Sequence, residues 1–295
     1  MTLPNFLCVG AQKSGTTSLH NILIQHPDIY LPSRKETKFF IDDSKFTRGI
    51  SYYESKFFGE WKGEKAVGEI DPDYMFFEYV PERIYKFLGD SVKLIFFLRN
   101  PVDRAYSHYL MSRGRGIEEL SFPEAVKIEK DRIKKGFFYK THFSYITRGY
   151  YSEQIKRFLK YFSKKNMFFV VFESDFIQKK EEMFSKLLTF LGVSSEVNID
   201  LNIKSNAAFE SRFPFLSRII HEKPKWAKYL AKVIIPNREI KRRFAKTLDS
   251  VNKKPIVKQE LSLEEKRTLF KAFFEEETRK LEELLNLDLN IWRSF

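Results

Sequence analysis

The sequence contains a single cysteine, Cys8, among its 295 residues. One thiol excludes an intramolecular disulfide and a cysteine-rich zinc site. Glycine (12 residues) and proline (11 residues) are also scarce, which excludes collagen-like and low-complexity architectures. Such sparing use of cysteine fits a reducing compartment, so we expect a cytoplasmic protein.

Long apolar runs are missing as well. No run approaches the roughly 18 residues that a membrane-spanning helix needs, and residues 1–5 lack the basic start of a secretory signal. The five histidines have no metal-ligand spacing, so we expect no metal, and we place His108 on a helix surface.

Apolar residues are nevertheless abundant enough for a sizeable core. They make up 43% of the chain, with 16% aromatic residues, which excludes intrinsic disorder. No Gly/Ser-rich or Pro-rich linker divides the sequence. We therefore expect one domain over residues 1–295.

Positive charge is concentrated in one segment. The whole chain carries a formal net charge of +13, and residues 204–258 alone hold 15 Lys/Arg against 4 Asp/Glu. We interpret 204–258 as a basic, mainly helical segment within the domain. Its charge suits either an anionic partner or a solvated surface. Apolar residues there follow helical spacing, which suits either an anionic membrane surface or packing on the domain: Trp226, Tyr229, Leu230, Val233 and Ile234.

Short apolar runs alternate with helical patterns along the chain. Buried strands are predicted at residues 6–10, 66–70, 92–98 and 167–172. Helices are predicted after Gly15, from Pro101 to about Ser112, and over 151–162 and 176–191. A final helix begins at the Ser262/Glu265 capping box and buries Leu269, Phe273, Leu281 and Leu285. This alternation predicts an α/β protein with a parallel sheet.

The first strand leads into a loop suited to phosphate or sulfate. Residues 10–17 read Gly-Ala-Gln-Lys-Ser-Gly-Thr-Thr, between a strand and a helix whose first N–H groups and dipole favour an anion. Thr16 occupies the position of the Walker A lysine, and the lysine is instead Lys13. The strand at 92–98 ends in arginine rather than a magnesium-binding acid, which argues against a metal-dependent NTPase.

A second anion site follows that strand. Arg99 lies at its carboxyl end, where ligands bind in open α/β sheets. Arg104 and Ser107 are three residues apart on the next helix and share a face. Two anion sites predict a ligand with two anionic groups.

These motifs resemble those of sulfotransferases that use 3′-phosphoadenosine 5′-phosphosulfate (PAPS), in particular the Golgi heparan-sulfate type and its bacterial relatives. The resemblance is carried by residues 12–17, by Lys-Glu-Thr-Lys-Phe-Phe at 35–40, and by Arg99-Asn100-Pro101 with Arg104, Ala105 and Ser107. Residues 68–74, 149–151 and 287–292 are similar too. It implies a P-loop-like three-layer fold, a central parallel sheet flanked by helices, with a helical C-terminal extension.

The resemblance also implies site residues. The Lys13 loop would hold the 5′-phosphosulfate, and Arg99 and Ser107 the 3′-phosphate. Lys204 and Arg212 stand where a basic loop of the family closes over the donor, although the family's lysine-glycine-arginine pattern is absent. The donor-binding residues are thus predicted to be Lys13, Ser14, Gly15, Thr16, Thr17, Ser18, Arg99, Ser107, Lys204 and Arg212.

Glu36 is, by the same resemblance, the general base that takes the proton of the acceptor. Lys13 would neutralise charge on the oxygen that leaves sulfur. If residues 36–38 are extended, Glu36 and Lys38 share a face, and Lys38 either favours the ionised form of Glu36 or contacts an acidic acceptor. Glu69, Asp71 and Asp73 follow a strand and are predicted to line the acceptor cleft. Phe39 and Phe40 are expected in the core.

The sequence therefore predicts a metal-independent enzyme that moves a sulfuryl group from PAPS to a hydroxyl or amine of a carbohydrate. An alternative acceptor is a lipid or a carrier-bound hydroxyacyl chain, with peripheral contact to an anionic membrane. A third hypothesis, a non-catalytic nucleic-acid-binding protein, rests on the charge of 204–258 alone; we expect no nucleic-acid partner.

Overall fold

The computed structural model describes residues 2–203 and 260–295, together with residues 209–211, 247 and 253–255. Lys204, Arg212, the amphipathic stretch 226–234 and most of segment 204–258 lie outside these described residues. Contacts divide the chain into two compact units. The first comprises residues 1–104, 148–205 and 266–295, and the second comprises residues 105–147 and 206–265. The predicted single domain over 1–295 stays a prediction.

The first unit is built on a five-stranded sheet in the order β2-β3-β1-β4-β5, with every pairing parallel. The strands are β1 (Phe6–Gly10), β2 (Ile29–Tyr30), β3 (Ala66–Ile70), β4 (Lys93–Leu98) and β5 (Met167–Val171). Cys8 on the central strand is paired with Ile70 on one side and Ile95 on the other. Every residue of β1 and β3 is buried, as in parallel sheets covered by helices on both faces.

Helices follow the strands along the chain. Their bounds are α1 (Thr16–Leu23), α2 (Asp43–Phe46), α3 (Ile50–Phe57), α4 (Val80–Leu88), α5 (Pro101–Gly114), α6 (Phe122–Lys127), α7 (Glu129–Arg132), α8 (Phe137–Phe143), α9 (Tyr151–Leu159), α10 (Lys180–Leu191), α11 (Leu263–Leu269) and α12 (Glu275–Leu285). Leu19, Ile22 and Leu23 of α1 and Leu187 of α10 join the core beside Cys8 and Ile95. The predicted α/β class, with a parallel sheet flanked by helices and a helical C-terminal segment, is confirmed.

The second unit contains α6, α7, α8 and a short antiparallel pair, β6 (Phe209–Ser211) with β7 (Lys253–Pro255). A buried carboxylate organises it: Glu118 accepts a hydrogen bond from Arg132 at 2.6 Å and from the Tyr145 hydroxyl at 2.8 Å. His108 is fully buried, with its ring centroid 5.1 Å from that of Tyr145. The prediction that His108 lies on a helix surface was wrong, because an aromatic cluster encloses this face of α5.

The C-terminal helices differ from the predicted pattern in one detail. The Ser262/Glu265 capping box forms, with the Glu265 N–H donating to the Ser262 Oγ at 3.2 Å. A π-helical turn follows at Phe270–Phe274. Phe270 and Phe274 are buried, whereas Phe273, predicted to face the core, is 36% exposed.

Candidate active site

The loop after β1 leaves the sheet at its carboxyl edge. The Ala11 N–H donates to the Phe97 carbonyl at 2.7 Å, which ties the loop to β4. Lys13 and Gly15 both have positive φ, 72° and 91°, and α1 begins at Thr16. Glycine is required at position 15, since a Cβ there would lie 2.8 Å from the Phe172 ring. The backbone thus turns sharply enough to direct several N–H groups at one point.

The loop carries an unsatisfied donor as well. Ser14 is fully buried, and its Oγ has no hydrogen-bond partner among the residues that the structure describes. A buried hydroxyl without a partner costs stability unless a ligand satisfies it. The partnerless hydroxyl, the tight glycine and the start of α1 together fit a bound phosphate or phosphosulfate group.

Arg99 braces this loop from the end of β4. Its Nη1 donates to the Lys13 carbonyl at 3.0 Å, and its guanidinium lies 5.1 Å from the centroid of the Phe172 ring. The buried Tyr151 hydroxyl donates to the Arg99 carbonyl at 2.9 Å. Arg99 therefore contacts the phosphate loop directly. Ser107 lies on the part of α5 that belongs to the second unit, so the assignment of Arg99 and Ser107 to one phosphate stays a prediction.

A short turn after β2 carries Glu36. The segment is not extended, because Glu36 and Lys38 both adopt left-handed backbone conformations, with φ of 62° and 59°. The condition under which their side chains would share a face is therefore not met. Two carboxylates from the end of β3 hold this turn. Glu69 accepts a hydrogen bond from the Thr37 N–H at 2.9 Å, and Asp71 accepts one from the Lys38 N–H at 3.0 Å. These bonds stabilise a conformation that is otherwise unfavourable for residues other than glycine.

Glu36 keeps its carboxylate in the ionised form. Its side chain is 37% exposed, with Oε2 3.2 Å from the Lys38 Nζ and Oε1 3.5 Å from the Lys35 Nζ. Burial acts to raise the pKa of Glu36, but the two ammonium groups outweigh it, and the pKa lies below the ordinary value for glutamate. The predicted influence of Lys38 on Glu36 has the expected direction.

Lys38 is the centre of a cluster of charges, which we call the Lys38 cluster: Glu36, Lys38, Asp71 and Asp73. The Lys38 Nζ lies 2.8 Å from Asp71, 2.6 Å from Asp73 and 3.2 Å from Glu36. Burial would lower the pKa of Lys38, but the surrounding carboxylates raise it well above the ordinary value. Because an ammonium group has three donors, this arrangement occupies all of them within the protein. The predicted contact of Lys38 with an acidic acceptor stays a prediction.

The two aspartates of the cluster differ in protonation. Burial raises the pKa of Asp71 to about 7, and the Lys38 ammonium only partly opposes this. Burial also acts to raise the pKa of Asp73. The positive charges of Lys38 and Arg148 outweigh this effect and hold the pKa of Asp73 well below its ordinary value. Asp73 is thus firmly ionised, whereas Asp71 titrates close to neutral pH.

Glu69 lies behind the turn in a closed hydrogen-bond network. It accepts from the Tyr53 hydroxyl at 2.5 Å and from the Tyr74 hydroxyl at 3.0 Å, and it is 1% exposed. Burial raises the pKa of Glu69, although these hydrogen bonds work against the rise. The contacts give Glu69 a part in holding the turn, and its predicted contact with the acceptor stays a prediction.

The loop and the turn are joined by residues that the motifs did not single out. The Lys35 Nζ donates to the Thr17 Oγ1 at 3.0 Å, and the Gln12 Nε2 donates to the Asp73 Oδ1 at 3.2 Å. Arg148 donates to the same oxygen at 2.6 Å. For Arg148 the sequence held only a weak signal, its place directly before residues 149–151 of the family resemblance.

Three carboxylates meet in the Lys38 cluster, but they surround an ammonium group. Among the described residues, no group of three or more His, Cys, Asp or Glu side chains is arranged to hold a metal ion. Within the same residues, no helix is both long and apolar enough to cross a lipid bilayer. The predicted cytoplasmic location and peripheral membrane contact stay predictions.

Comparison with known proteins identifies the family. The model of the sulfotransferase domain matches residues 3–212, well over half of the chain. The chain therefore belongs to the sulfotransferase domain family, and the predicted enzyme class is confirmed at the level of the family. A crystal structure of a sulfotransferase from Alicyclobacillus acidocaldarius is similar over 99% of this chain and 100% of that one, with a TM-score of 0.72 and 28% identity.

Two curated relatives share part of the sequence. Heparan sulfate glucosamine 3-O-sulfotransferase 5 of Mus musculus is 31% identical over 163 residues, which is 54% of this chain and 45% of that protein. The membrane-associated sulfotransferase kil1 of Dictyostelium discoideum is 37% identical over 142 residues, 45% of this chain and 30% of that protein. The chain thus spans less than half the length of either relative.

Proposed function

We propose that the protein transfers a sulfuryl group from PAPS to a hydroxyl or amine of a carbohydrate, with Glu36 as general base. The observation that supports this most strongly is the link between two sites. Lys35 contacts both Thr17 in the first turn after the phosphate loop and Glu36, so the candidate base lies next to the loop suited to the donor. The mouse relative, which is named for a heparan sulfate glucosamine acceptor, supports a carbohydrate.

The residues of the loop fit the donor. Lys13, the Ser14 hydroxyl and the N–H groups at the start of α1 would hold its 5′-phosphosulfate, and Arg99 keeps the Lys13 backbone in place. PAPS supplies an activated sulfuryl group when it is bound. The positive charge of Lys13 stabilises the negative charge that develops on the phosphate oxygen when the bond to sulfur breaks.

Glu36 acts on the acceptor. Its carboxylate accepts the proton of the hydroxyl or amine while the oxygen or nitrogen attacks sulfur. A lowered pKa keeps Glu36 deprotonated and ready at neutral pH. Glu69 and Asp71 fix the backbone of the turn that carries Glu36. The Lys35 and Lys38 ammonium groups, 3.5 and 3.2 Å from the Glu36 carboxylate, restrict its side chain, which reduces the loss of entropy on reaching the transition state.

The alternative acceptor, a lipid or a carrier-bound hydroxyacyl chain, depends on the amphipathic stretch 226–234. That stretch lies outside the described residues and adds nothing to the proposal. The same holds for the nucleic-acid-binding hypothesis, which rests on the charge of 204–258.

A transfer assay with 35S-labelled PAPS tests the proposal. Heparan sulfate and its de-N-sulfated and de-O-sulfated forms serve as acceptors, with chondroitin sulfate for comparison. We expect Glu36→Gln to lower kcat by about 10²-fold or more, as for the loss of a general base, while adenosine 3′,5′-bisphosphate still binds with unchanged affinity by calorimetry. Glu82→Gln, an exposed glutamate on α4, is the matched control. Full turnover by Glu36→Gln would show that another group takes the proton.

A further inference from the structure

Asp73 has three hydrogen-bond donors aimed at one carboxylate. The Lys38 Nζ lies 2.6 Å from Oδ2, the Arg148 Nη1 2.6 Å from Oδ1, and the Gln12 Nε2 3.2 Å from Oδ1. The residue is only 4% exposed. Such a side chain is held from three sides, and its position is defined by its partners.

The three donors come from separate parts of the chain. Gln12 lies in the phosphate loop, one residue before Lys13, and Lys38 lies on the turn that carries Glu36. Arg148 precedes α9, where its guanidinium lies 4.3 Å from the centroid of the Phe76 ring and its carbonyl accepts from the Gln154 Nε2 at 3.1 Å. Asp73 is therefore a direct connection between the donor loop and the turn of the general base, anchored on α9 through Arg148.

We propose that Asp73 is a positioning residue that sets the phosphate loop against Glu36, and that it must be a carboxylate to do so. The inference rests on the proposed function. Its basis is a count of acceptors: a carboxylate has two oxygens and accepts from all three donors, whereas an asparagine has a single oxygen and an NH2 group. In Asp73→Asn the NH2 group faces either the Lys38 ammonium or both Arg148 and Gln12. At least one of the three contacts is then lost.

The charge of Asp73 reaches Glu36 as well. The charged groups that act on the pKa of Glu36 are Lys35 and Lys38 from its own segment and Asp73 from the end of β3, and Asp71, which shares the Lys38 ammonium, interacts with Glu36 as well. Asp73 shares the Lys38 ammonium with Glu36, and its negative charge works against ionisation of the base. When that charge is removed, Lys38 is left to Glu36 and Asp71. The pKa of Glu36 falls, and the acid limb of the pH profile moves to lower pH.

The test compares three variants of the full chain. Asp73→Asn is expected to lower kcat about tenfold or more through misplacement of the base, to weaken adenosine 3′,5′-bisphosphate binding about threefold or more, and to move the acid limb of kcat downward in pH. Gln12→Met breaks only the link to the loop, so it should weaken nucleotide binding and leave the acid limb unchanged. Glu118→Gln is the control, because it breaks another Arg–carboxylate pair, also at 2.6 Å, in the second unit.

The outcomes separate the inference from the proposed function. Glu118→Gln should lower the melting temperature and keep both the nucleotide affinity and the acid limb. If Asp73→Asn does the same, Asp73 is merely structural and the inference is overturned. If Asp73→Asn does not fold, wild-type nucleotide affinity in Gln12→Met overturns it instead. A different result would refute the proposed function. In that case Glu36→Gln would retain full turnover, whatever the effect of the Asp73 substitution.

Discussion

Gly15 offers a prediction whose size follows from the structure. An alanine there has two costs. The first is its φ of 91°, since a left-handed conformation costs a residue with a Cβ about 1–2 kcal/mol. The second is the contact of 2.8 Å between the new Cβ and the Phe172 ring. That ring is stacked on Phe176, with centroids 5.5 Å apart, and covered by Arg99, so it has little room to move. Overpacking of this kind costs about 1–3 kcal/mol.

Gly63 is a suitable control because it also has a positive φ but lacks the contact. Its φ is 109°, and a Cβ there meets nothing within 4 Å. We expect Gly63→Ala to cost only the backbone contribution and Gly15→Ala about 1–3 kcal/mol more in free energy of unfolding, measured by urea denaturation. Gly15→Ala should also weaken binding of adenosine 3′,5′-bisphosphate.

A double-mutant cycle isolates the steric contribution. In a Phe172→Ala background the extra cost of Gly15→Ala should fall to that of Gly63→Ala, because the obstructing ring is gone. If Gly15→Ala and Gly63→Ala cost the same in the wild-type background, the loop moves freely away from Phe172. The phosphate loop would then not be held rigidly by its packing against Phe172.

Two further predictions concern the turn that carries Glu36. Lys38→Met removes the closer of the two ammonium groups beside Glu36. The pKa of Glu36 should therefore rise, and the acid limb of the pH profile of kcat should move to higher pH. Lys65→Met, which removes one partner of an exposed surface ion pair, is the control and should leave that pH profile unchanged. An unshifted profile in Lys38→Met would mean that Glu36 does not govern the acid limb. Tyr53→Phe deletes a hydrogen-bond donor 2.5 Å from the buried Glu69 carboxylate. We expect it to lower the free energy of unfolding, measured by urea denaturation, by about 1.5–3 kcal/mol. A loss below about 0.5 kcal/mol would contradict a stabilising role for this hydrogen bond.

The strand ends and the phosphate loop could be predicted because their signals are local. An apolar run that ends in Gly10, and another that ends in Arg99, mark the carboxyl edge of a parallel sheet directly. The burial of Phe39 and Phe40 also followed from their apolar character. Around these points the predicted and observed structures agree to within a residue or two.

The conformation of residues 36–38 could not be predicted in the same way. Left-handed backbone at a glutamate and a lysine runs against their local preference and depends on Glu69 and Asp71, more than 30 residues further along the chain. Arg148 reaches Asp73 across 75 positions of sequence. Contacts of this kind depend on the tertiary fold, and no local pattern of residue types reports them.

The contacts of Trp292 have a consequence for synthesis. Glu173, directly after β5, accepts hydrogen bonds from the Asn100 N–H and from the Trp292 indole, each at 2.9 Å, and the Trp292 carbonyl accepts from Asn100 at 3.0 Å. Asn100, the residue that follows Arg99, is therefore held in place by the turn at Asn290–Trp292. Ribosomes add about 5–20 residues per second, so β5 is complete several seconds before Trp292 is added to the chain. A nascent chain stalled before that tryptophan should hold Asn100, and with it the phosphate loop that Arg99 contacts, less firmly.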